Sequence, residues 1–175
     1  MTDASGLAID VAVLRKVMGS FATGVTVVLA DANGETRGMT ANAFLSGSLE
    51  PPLCVVSVAK RAHMHAHLAA AGKFSVNILA IAQENLALHF AGRPQPNDTP
   101  PSFQRHNGVP LLAETDSAAQ LTAEVGATHD CGDHTLFVGR ITWIRANDRT
   151  PLLYHAGRFA SLLPREQQGP LLEFW

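Results

Sequence analysis

Residues 38–61 have the sequence GMTANAFLSGSLEPPLCVVSVAKR, in which small polar residues precede an apolar run. Strands usually avoid Gly, Asn and Ser, whereas LCVVSVA at 53–59 has the β-branched composition of a buried strand. The polar part predicts either a hairpin with an exposed edge or a groove in which a ligand meets short hydrogen-bonding groups. Gly38 would allow close backbone approach, and Pro51 and Pro52 stiffen the turn. The hydrogen-bonding groups are Thr40, Asn42, Ser46 and Ser48.

The preceding residues predict a hairpin. GVTVVLA at 24–30 is β-branched and typical of a strand, DANGE at 31–35 contains an Asn-Gly turn, and TRGMTANAF at 36–44 should be the returning strand.

Three helices are predicted around these strands. Asp10 is expected to cap a helix over 11–20, whose apolar residues recur at helical spacing and form one face. HMHAHLAAAG at 63–72 and IAQENLALHFAG at 81–92 are helical patterns that end in glycine. The apolar face of the first helix comprises Val11, Leu14, Met18 and Phe21.

The second half of the chain is β-rich. Residues 93–110 contain five prolines, which predicts a long loop, such as a lid. About six strands with two short helices inserted mid-chain do not alternate as βαβ units, so a mainly antiparallel barrel with peripheral helices is expected. Residues 1–9 are expected to be a flexible tail and 10–165 one domain. Residues 166–175 form an apolar tail that should pack on the domain or on a partner subunit.

Composition limits the possible functions. The chain has 175 residues, a formal net charge of −2 and 16% charged residues, which favours one domain and no nucleic-acid partner. Two cysteines give no disulfide framework. The sequence has no membrane-spanning run or leader pattern, so a cytoplasmic location is expected. It also lacks G-x-G-x-x-G, Walker A and G-x-S-x-G motifs.

The stretch HDCGDHTLFVG invites a metal hypothesis, because alternate residues of a strand share a face. His129, Cys131 and Asp133 could converge, but no fourth ligand has suitable spacing and turn composition explains the segment. His63 and His67 lie one helical turn apart and have no carboxylate or thiol at fixed spacing. We therefore predict no metal site.

Five segments occur in one order along the chain: FATGVTVV, GMTANAF, SLEPPL, FSVNIL and GDHTLFVGRI. Together, from about Leu14 to about Leu163, they resemble the flavin reductase domain family. The resemblance implies an FMN-binding split barrel of Greek-key type and reduction of FMN or FAD by NADH or NADPH. It also implies that the protein supplies reduced flavin to a separate monooxygenase. Low charge, the apolar tail LLEFW and barrel edges that need cover predict a homodimer, and the resemblance implies that the flavin site borders the subunit interface.

The resemblance implies site residues in four groups. One contacts the flavin ring, one lies at a strand end beside it, one lies where the flavin phosphate binds, and one binds the nicotinamide. His134 in the last group is the expected catalytic residue, and Asp133 shapes the turn or orients it. The groups are Met39, Thr40, Ala41 and Asn42; Ser46, Ser48, Leu49 and Asn77; Lys60 and Arg61; and Gly132, Asp133 and His134.

One departure concerns phosphate binding. The family commonly carries small hydroxyl residues just after Lys60, whereas this chain has KRAHMHAHL. Lys60, Arg61 and the histidines can still supply positive charge. The choice between FMN and FAD therefore stays open. The choice between NADH and NADPH also stays open, since the sequence has no recognisable arginine site for a 2′-phosphate. A non-catalytic flavin-binding or storage protein on the same barrel is the alternative, but storage would not require the Gly-Asp-His segment.

Three further residues have structural interpretations. Cys54 lies in an apolar strand and is expected in the core. Trp143 is expected to pack or to anchor an interface, and Arg158, in HAGRFASL, is assigned a structural role.

Overall fold

The computed structural model describes residues 9–96, 99–113 and 117–162. The described chain is mainly β-structure, as expected, with twelve strands where about six were predicted. The strands are β1 Thr23–Gly24, β2 Thr26–Ala32, β3 Glu35–Ala41, β4 Phe44–Ser48, β5 Leu53–Ala59, β6 Lys73–Ile78, β7 Phe103–His106, β8 Val109–Leu112, β9 Ala119–Cys131, β10 His134–Ala146, β11 Leu153–His155 and β12 Arg158–Ala160.

Three α-helices accompany these strands: α1 Val11–Gly19, α2 His63–Ala71 and α3 Glu84–Phe90. The predicted cap of α1 is confirmed, because Oδ1 of Asp10 accepts the amides of Ala12 and Val13 at 2.7 and 3.2 Å. Gly72 ends α2 in the left-handed conformation. The third predicted helix begins as a 3₁₀ turn over Ile81–Gln83 and continues as α3.

Seven strands form one antiparallel sheet in the order β3-β2-β6-β9-β10-β5-β4. The edge strands β3 and β4 are consecutive in the chain and only residues 42 and 43 join them, so the sheet must curl to bring its edges together. The predicted hairpin is confirmed, since β2 and β3 pair through Asn33 and Gly34, which have φ of 53° and 79°.

The core lies on both faces of β2. On one face, Val28 packs in a cluster with Phe74, Phe137 and residues of α2. On the other face, Val27 and Leu29 pack in a second cluster that includes Ala87 of α3. Alternate side chains of β2 therefore contribute to two hydrophobic clusters, one on each face of the sheet.

Gly38 serves the packing of α3. A Cβ at this position would lie 2.6 Å from Cδ2 of Leu29 and 2.6 Å from two ring atoms of Phe90, closer than side-chain atoms approach. The predicted close approach therefore occurs, but the approaching group is the Phe90 ring.

One expectation was wrong. Residues 93–110 are not all loop, because β7 lies within them and pairs with β8, which begins at Val109. The residues of the predicted apolar face of α1 are exposed, with Phe21 74% and Met18 63% exposed. The tail expected at residues 1–9, apart from Ile9, and the segment 166–175 lie outside the described residues.

Candidate functional site

A cleft of about 420 Å³ lies between the end of β3, α3 with the residues after it, and the β11–β12 hairpin. Its walls are largely apolar, and its polar groups include two arginines and an asparagine. The lining residues are Val25, Thr40, Ala41, Asn42, Ala87, Leu88, Ala91, Arg93, Tyr154, Gly157, Arg158 and Phe159.

Three of the four residues expected at the flavin ring line this cleft. Thr40 donates its hydroxyl to the carbonyl of Ala87 at 2.6 Å, which ties β3 to α3. The carbonyl of Ala41 accepts from Thr26 at 2.7 Å, and the side chain of Asn42 is exposed. Met39 instead packs against the core.

The Gly-Asp-His segment lies at the tip of the β9–β10 hairpin. Gly132 has φ of 60°, and His134 pairs with Cys131 within the hairpin. Nδ1 of His134 lies 2.7 Å from Oδ1 of Asp133. This hydrogen bond lowers the pKa of the Asp133 carboxyl, with smaller contributions that include the charge of Arg61.

Lys60 belongs to the same group of residues. Its amide donates to the carbonyl of Asp133 at 2.9 Å, and its Nζ lies 3.3 Å from Oδ1 of Asp130. We call Lys60, Arg61, Gly132, Asp133 and His134 the hairpin-tip cluster. The structure brings the predicted phosphate and nicotinamide residues together in it.

The buried hydroxyl of Thr135 is connected to this cluster through Asp130. Thr135 is 6% exposed and donates to Oδ1 of Asp130 at 3.5 Å. Nε2 of His65 lies 2.8 Å from the same hydroxyl. Which of the two groups donates in this shorter contact depends on the tautomer of the imidazole. The chain His65–Thr135–Asp130–Lys60 therefore links α2 to the lysine.

Strand β5 connects the cleft to the hairpin-tip cluster. On one side of β5, the amide of Ser57 donates to the carbonyl of Ala43, directly after the cleft residue Asn42. On the other side, His134 pairs with Ala59. Strands lie about 4.8 Å apart and rise about 3.3 Å per residue, so two strand spacings and the two-residue offset from Ser57 to Ala59 separate the segments by roughly 12 Å.

Other predicted site residues lie elsewhere. Ser46 pairs with Cys54 and Ser48 with Leu53, at the far end of β5. Ala59 lies six positions after Leu53, which is roughly 20 Å of strand. Leu49 follows β4 and is 67% exposed. The structure does not bring Ser46, Ser48 and Leu49 into the cleft or the hairpin-tip cluster.

Asn77 lies in the core with no exposed surface. Its Nδ2 donates to the carbonyl of Val27 at 3.1 Å and to the hydroxyl of Ser75 at 3.2 Å. Its Oδ1 accepts from the amide of Leu112 at 3.1 Å and from Nε2 of Gln120 at 2.8 Å. These bonds use both protons and both lone pairs of the amide. Asn77, on β6, therefore connects its own strand to β2, β8 and β9 and does not line the cleft.

The sequence did not single out Arg93, Tyr154 or Phe159, which line the cleft, and Arg158 was assigned a structural role. Tyr154 and Phe159 pair across the hairpin and meet edge to face, with ring centroids 5.8 Å apart. The segment HAGRF carried a usable signal, because a glycine followed by a charged residue marks a hairpin end.

Three other residues discussed from the sequence lie outside the cleft and the hairpin-tip cluster and contact other parts of the fold. Cys54 is fully buried, as predicted, and desolvation raises the pKa of its thiol to about 11. Trp143 stacks on His106 with ring centroids 4.5 Å apart. Nε2 of His67 contacts the carbonyl of Ala30 at 3.1 Å.

We searched the part of the chain that the structure describes for metal-ligand groups and for membrane-spanning helices. No three or more His, Cys, Asp or Glu side chains there are grouped so that they could hold a metal ion. No helix there has the length and apolar character needed to cross a membrane.

Comparisons with known proteins match this architecture. An NADH-dependent flavin reductase of Rhodococcus sp is 44% identical over 152 residues, which cover 85% of each chain. The reductase component of 4-hydroxyphenylacetate 3-monooxygenase of Thermus thermophilus is 36% identical, over 82% of this chain and 91% of its own. The solved structure of the flavin reductase PheA2 has a TM-score of 0.84 and 38% identity, over 89% of this chain and all of that one. The fold is thus the split barrel of the flavin reductases.

The model of the family described as Flavin reductase like domain matches residues 18–163. This range contains both the cleft and the hairpin-tip cluster. The chain therefore belongs to this family.

Proposed function

We propose that this chain reduces flavin, FMN or FAD, with NADH. The observation that carries the proposal is the position of two segments on the two sides of β5, the cleft segment that ends at Asn42 and the turn that carries His134. Hydride transfer requires two aromatic rings in contact, and a separation of roughly 12 Å between these segments leaves room for stacked rings. The relatives named as NADH-dependent or as flavin reductases support the same activity.

The cleft fits a flat heteroaromatic ligand. Its volume of about 420 Å³ lies in the range of small-molecule sites, and its apolar walls carry few polar groups. The exposed amide of Asn42 can donate to and accept from such a ring. Flavin, when bound, supplies the hydride-accepting chemistry, and the protein contributes binding and orientation.

His134 is assigned the nicotinamide side of the site. Asp133 accepts the hydrogen bond of Nδ1, so the ring is held by one nitrogen and Nε2 remains for a ligand. The imidazole is part exposed, with 40% of its side-chain surface accessible. It can therefore hydrogen-bond a carboxamide and hold it in place.

We further propose that the protein is a homodimer that serves a separate oxygenase and works in the cytoplasm, where NADH is available. The exposed apolar side chains of α1, including Val17 at 62% and Met18 at 63%, form the kind of patch that a subunit interface covers. The oxygenase is suggested by the relative named as the reductase component of a monooxygenase. Sedimentation at micromolar concentration tests the dimer, which a stable monomer would contradict.

A steady-state assay tests the activity. Oxidation of NADH is followed with no flavin, with FMN and with FAD, and NADPH replaces NADH in a parallel series. We expect oxidation that depends on added flavin and is faster with NADH. A protein that binds flavin yet shows no such oxidation would be a non-catalytic flavin-binding protein.

A further inference from the structure

Arg93 and Arg158 line the same cleft, and among the residues that the structure describes no acidic residue lines it. We propose that these two arginines form a phosphate-binding pair for the nucleotide that occupies the cleft. The inference rests on the proposed function in so far as that nucleotide is the flavin or NADH. The shared chemistry is a phosphate ester that two guanidinium groups recognise.

The backbone of Arg93 is fixed where α3 ends. Gly92 has φ of 75°, and its amide donates to the carbonyl of His89 at 3.0 Å. The amide of Arg93 donates to the carbonyl of Leu88 at 2.9 Å. This left-handed glycine closure ties the first residue of the proline-rich segment to the helix, so the side chain starts from a defined position.

The backbone of Arg158 is fixed in a tight hairpin. His155 pairs with Arg158 across Ala156 and Gly157, which have φ of 50° and 81°. The amide of Ala156 also donates to the carbonyl of Gly19 at 2.8 Å, which anchors the turn to the end of α1. Two independent elements thus present one arginine each to a single cleft.

The charge of the pair is not balanced within residues 9–96, 99–113 and 117–162, where neither arginine has an ion-pair partner. The hairpin-tip cluster differs in this respect. Lys60 lies 3.3 Å from Asp130, and the charge of Arg61 acts on Asp133. An anion would therefore compete with carboxylates at the tip, but not at the described surface of the cleft.

The chemistry of the pair matches phosphate. A guanidinium group donates two parallel hydrogen bonds to phosphate oxygens, and charge-assisted bonds of this kind are about twice as strong as neutral ones. The chain offers little alternative after Lys60, because residues 61–74 contain no Ser or Thr. The arginines thus provide the donors that this segment lacks.

The test compares ligands with and without phosphate in equilibrium titrations that need no turnover. FMN and riboflavin are titrated against wild type, Arg93→Gln and Arg158→Gln, and the exposed Arg145→Gln is the matched control, since Arg145 lies over Trp143 and does not line the cleft. We expect each cleft variant to lose roughly tenfold or more in FMN affinity, with riboflavin affinity unchanged. Arg158→Lys should recover part of the loss.

A second pair of ligands identifies the source of the phosphate. NADH and reduced nicotinamide riboside are titrated in the same variants. A loss confined to NADH would assign the pair to the nicotinamide nucleotide and would support the proposal. Unchanged affinity for both FMN and NADH in a variant that combines Arg93→Gln and Arg158→Gln would overturn it, as would equal losses for ligands with and without phosphate. Because only binding is measured, a protein that binds FMN through the arginines but does not oxidise NADH would refute the proposed function alone.

Discussion

Nδ1 of His134 lies 2.7 Å from Oδ1 of Asp133, the residue directly before it. The hydrogen bond lowers the pKa of the Asp133 carboxyl, so this group is ionised at neutral pH and acts only as an acceptor. Nδ1 must then carry the proton, which leaves Nε2 for a ligand. The pair therefore fixes both the tautomer and the orientation of the imidazole.

Asp133→Ala should raise KM for NADH and leave flavin affinity near the wild-type value. The substitution removes the acceptor that orients His134, while the cleft residues are unchanged. Steady-state kinetics with varied NADH and a flavin titration measure the two effects. A variant with wild-type KM would show that the carboxylate serves only the turn.

Asn42→Ala should weaken flavin binding by about 0.5–1.5 kcal/mol, the usual value of one hydrogen bond. The side chain lines the cleft and is exposed, so the free energy of unfolding should not change. Flavin titration and denaturant unfolding of the same preparation test both statements. Unchanged flavin affinity would remove Asn42 from the site.

Asn77→Ala should have the opposite pattern. Its amide is fully buried and bonds Val27, Ser75, Leu112 and Gln120. Each buried group left without a partner costs about 1–3 kcal/mol, so stability should fall strongly. The folded fraction should bind flavin with wild-type affinity. Lost affinity at unchanged stability would instead support the role that the family resemblance gives to Asn77.

Gly38→Ala should destabilise the protein by about 1–3 kcal/mol, the usual cost of an overpacked core. The added Cβ would lie 2.6 Å from Cδ2 of Leu29 and from the Phe90 ring, so both side chains must shift. Gly126→Ala is the control, because its Cβ would lie 3.8 Å from the carbonyl oxygen of Val138, an ordinary van der Waals contact. Equal denaturant midpoints for the two variants would contradict this account of Gly38.

Local sequence signals predicted local structure well. Asp10 caps α1, Asn33 and Gly34 form the β2–β3 turn, and Gly72 ends α2, because each signal depends on neighbours within a few residues. The antiparallel sheet followed from the spacing of the strand patterns and from the family resemblance.

The rest depends on contacts between distant residues. The amide of Asn77 is saturated by groups up to 50 positions away, and Gly38 is small because Phe90 packs on it. Arg93 and Arg158 meet in the cleft only because α3 and the β11–β12 hairpin lie side by side. No periodicity or spacing encodes these juxtapositions, so sequence patterns could not place them.

The most direct measurement is anaerobic stopped-flow reduction of flavin by NADH in wild type and His134→Ala, with a flavin titration of both proteins. In wild type we expect NADH to be oxidised as flavin is reduced, one for one. His134→Ala should slow reduction or require more NADH, with flavin affinity near wild type, because Asn42 and the cleft are intact. A rise in KM alone would mean that the imidazole only positions nicotinamide, whereas a fall in kcat would mean that it also assists transfer. Wild-type protein that binds flavin but leaves NADH unoxidised would contradict the account, and unchanged reduction kinetics in His134→Ala would remove His134 from the site.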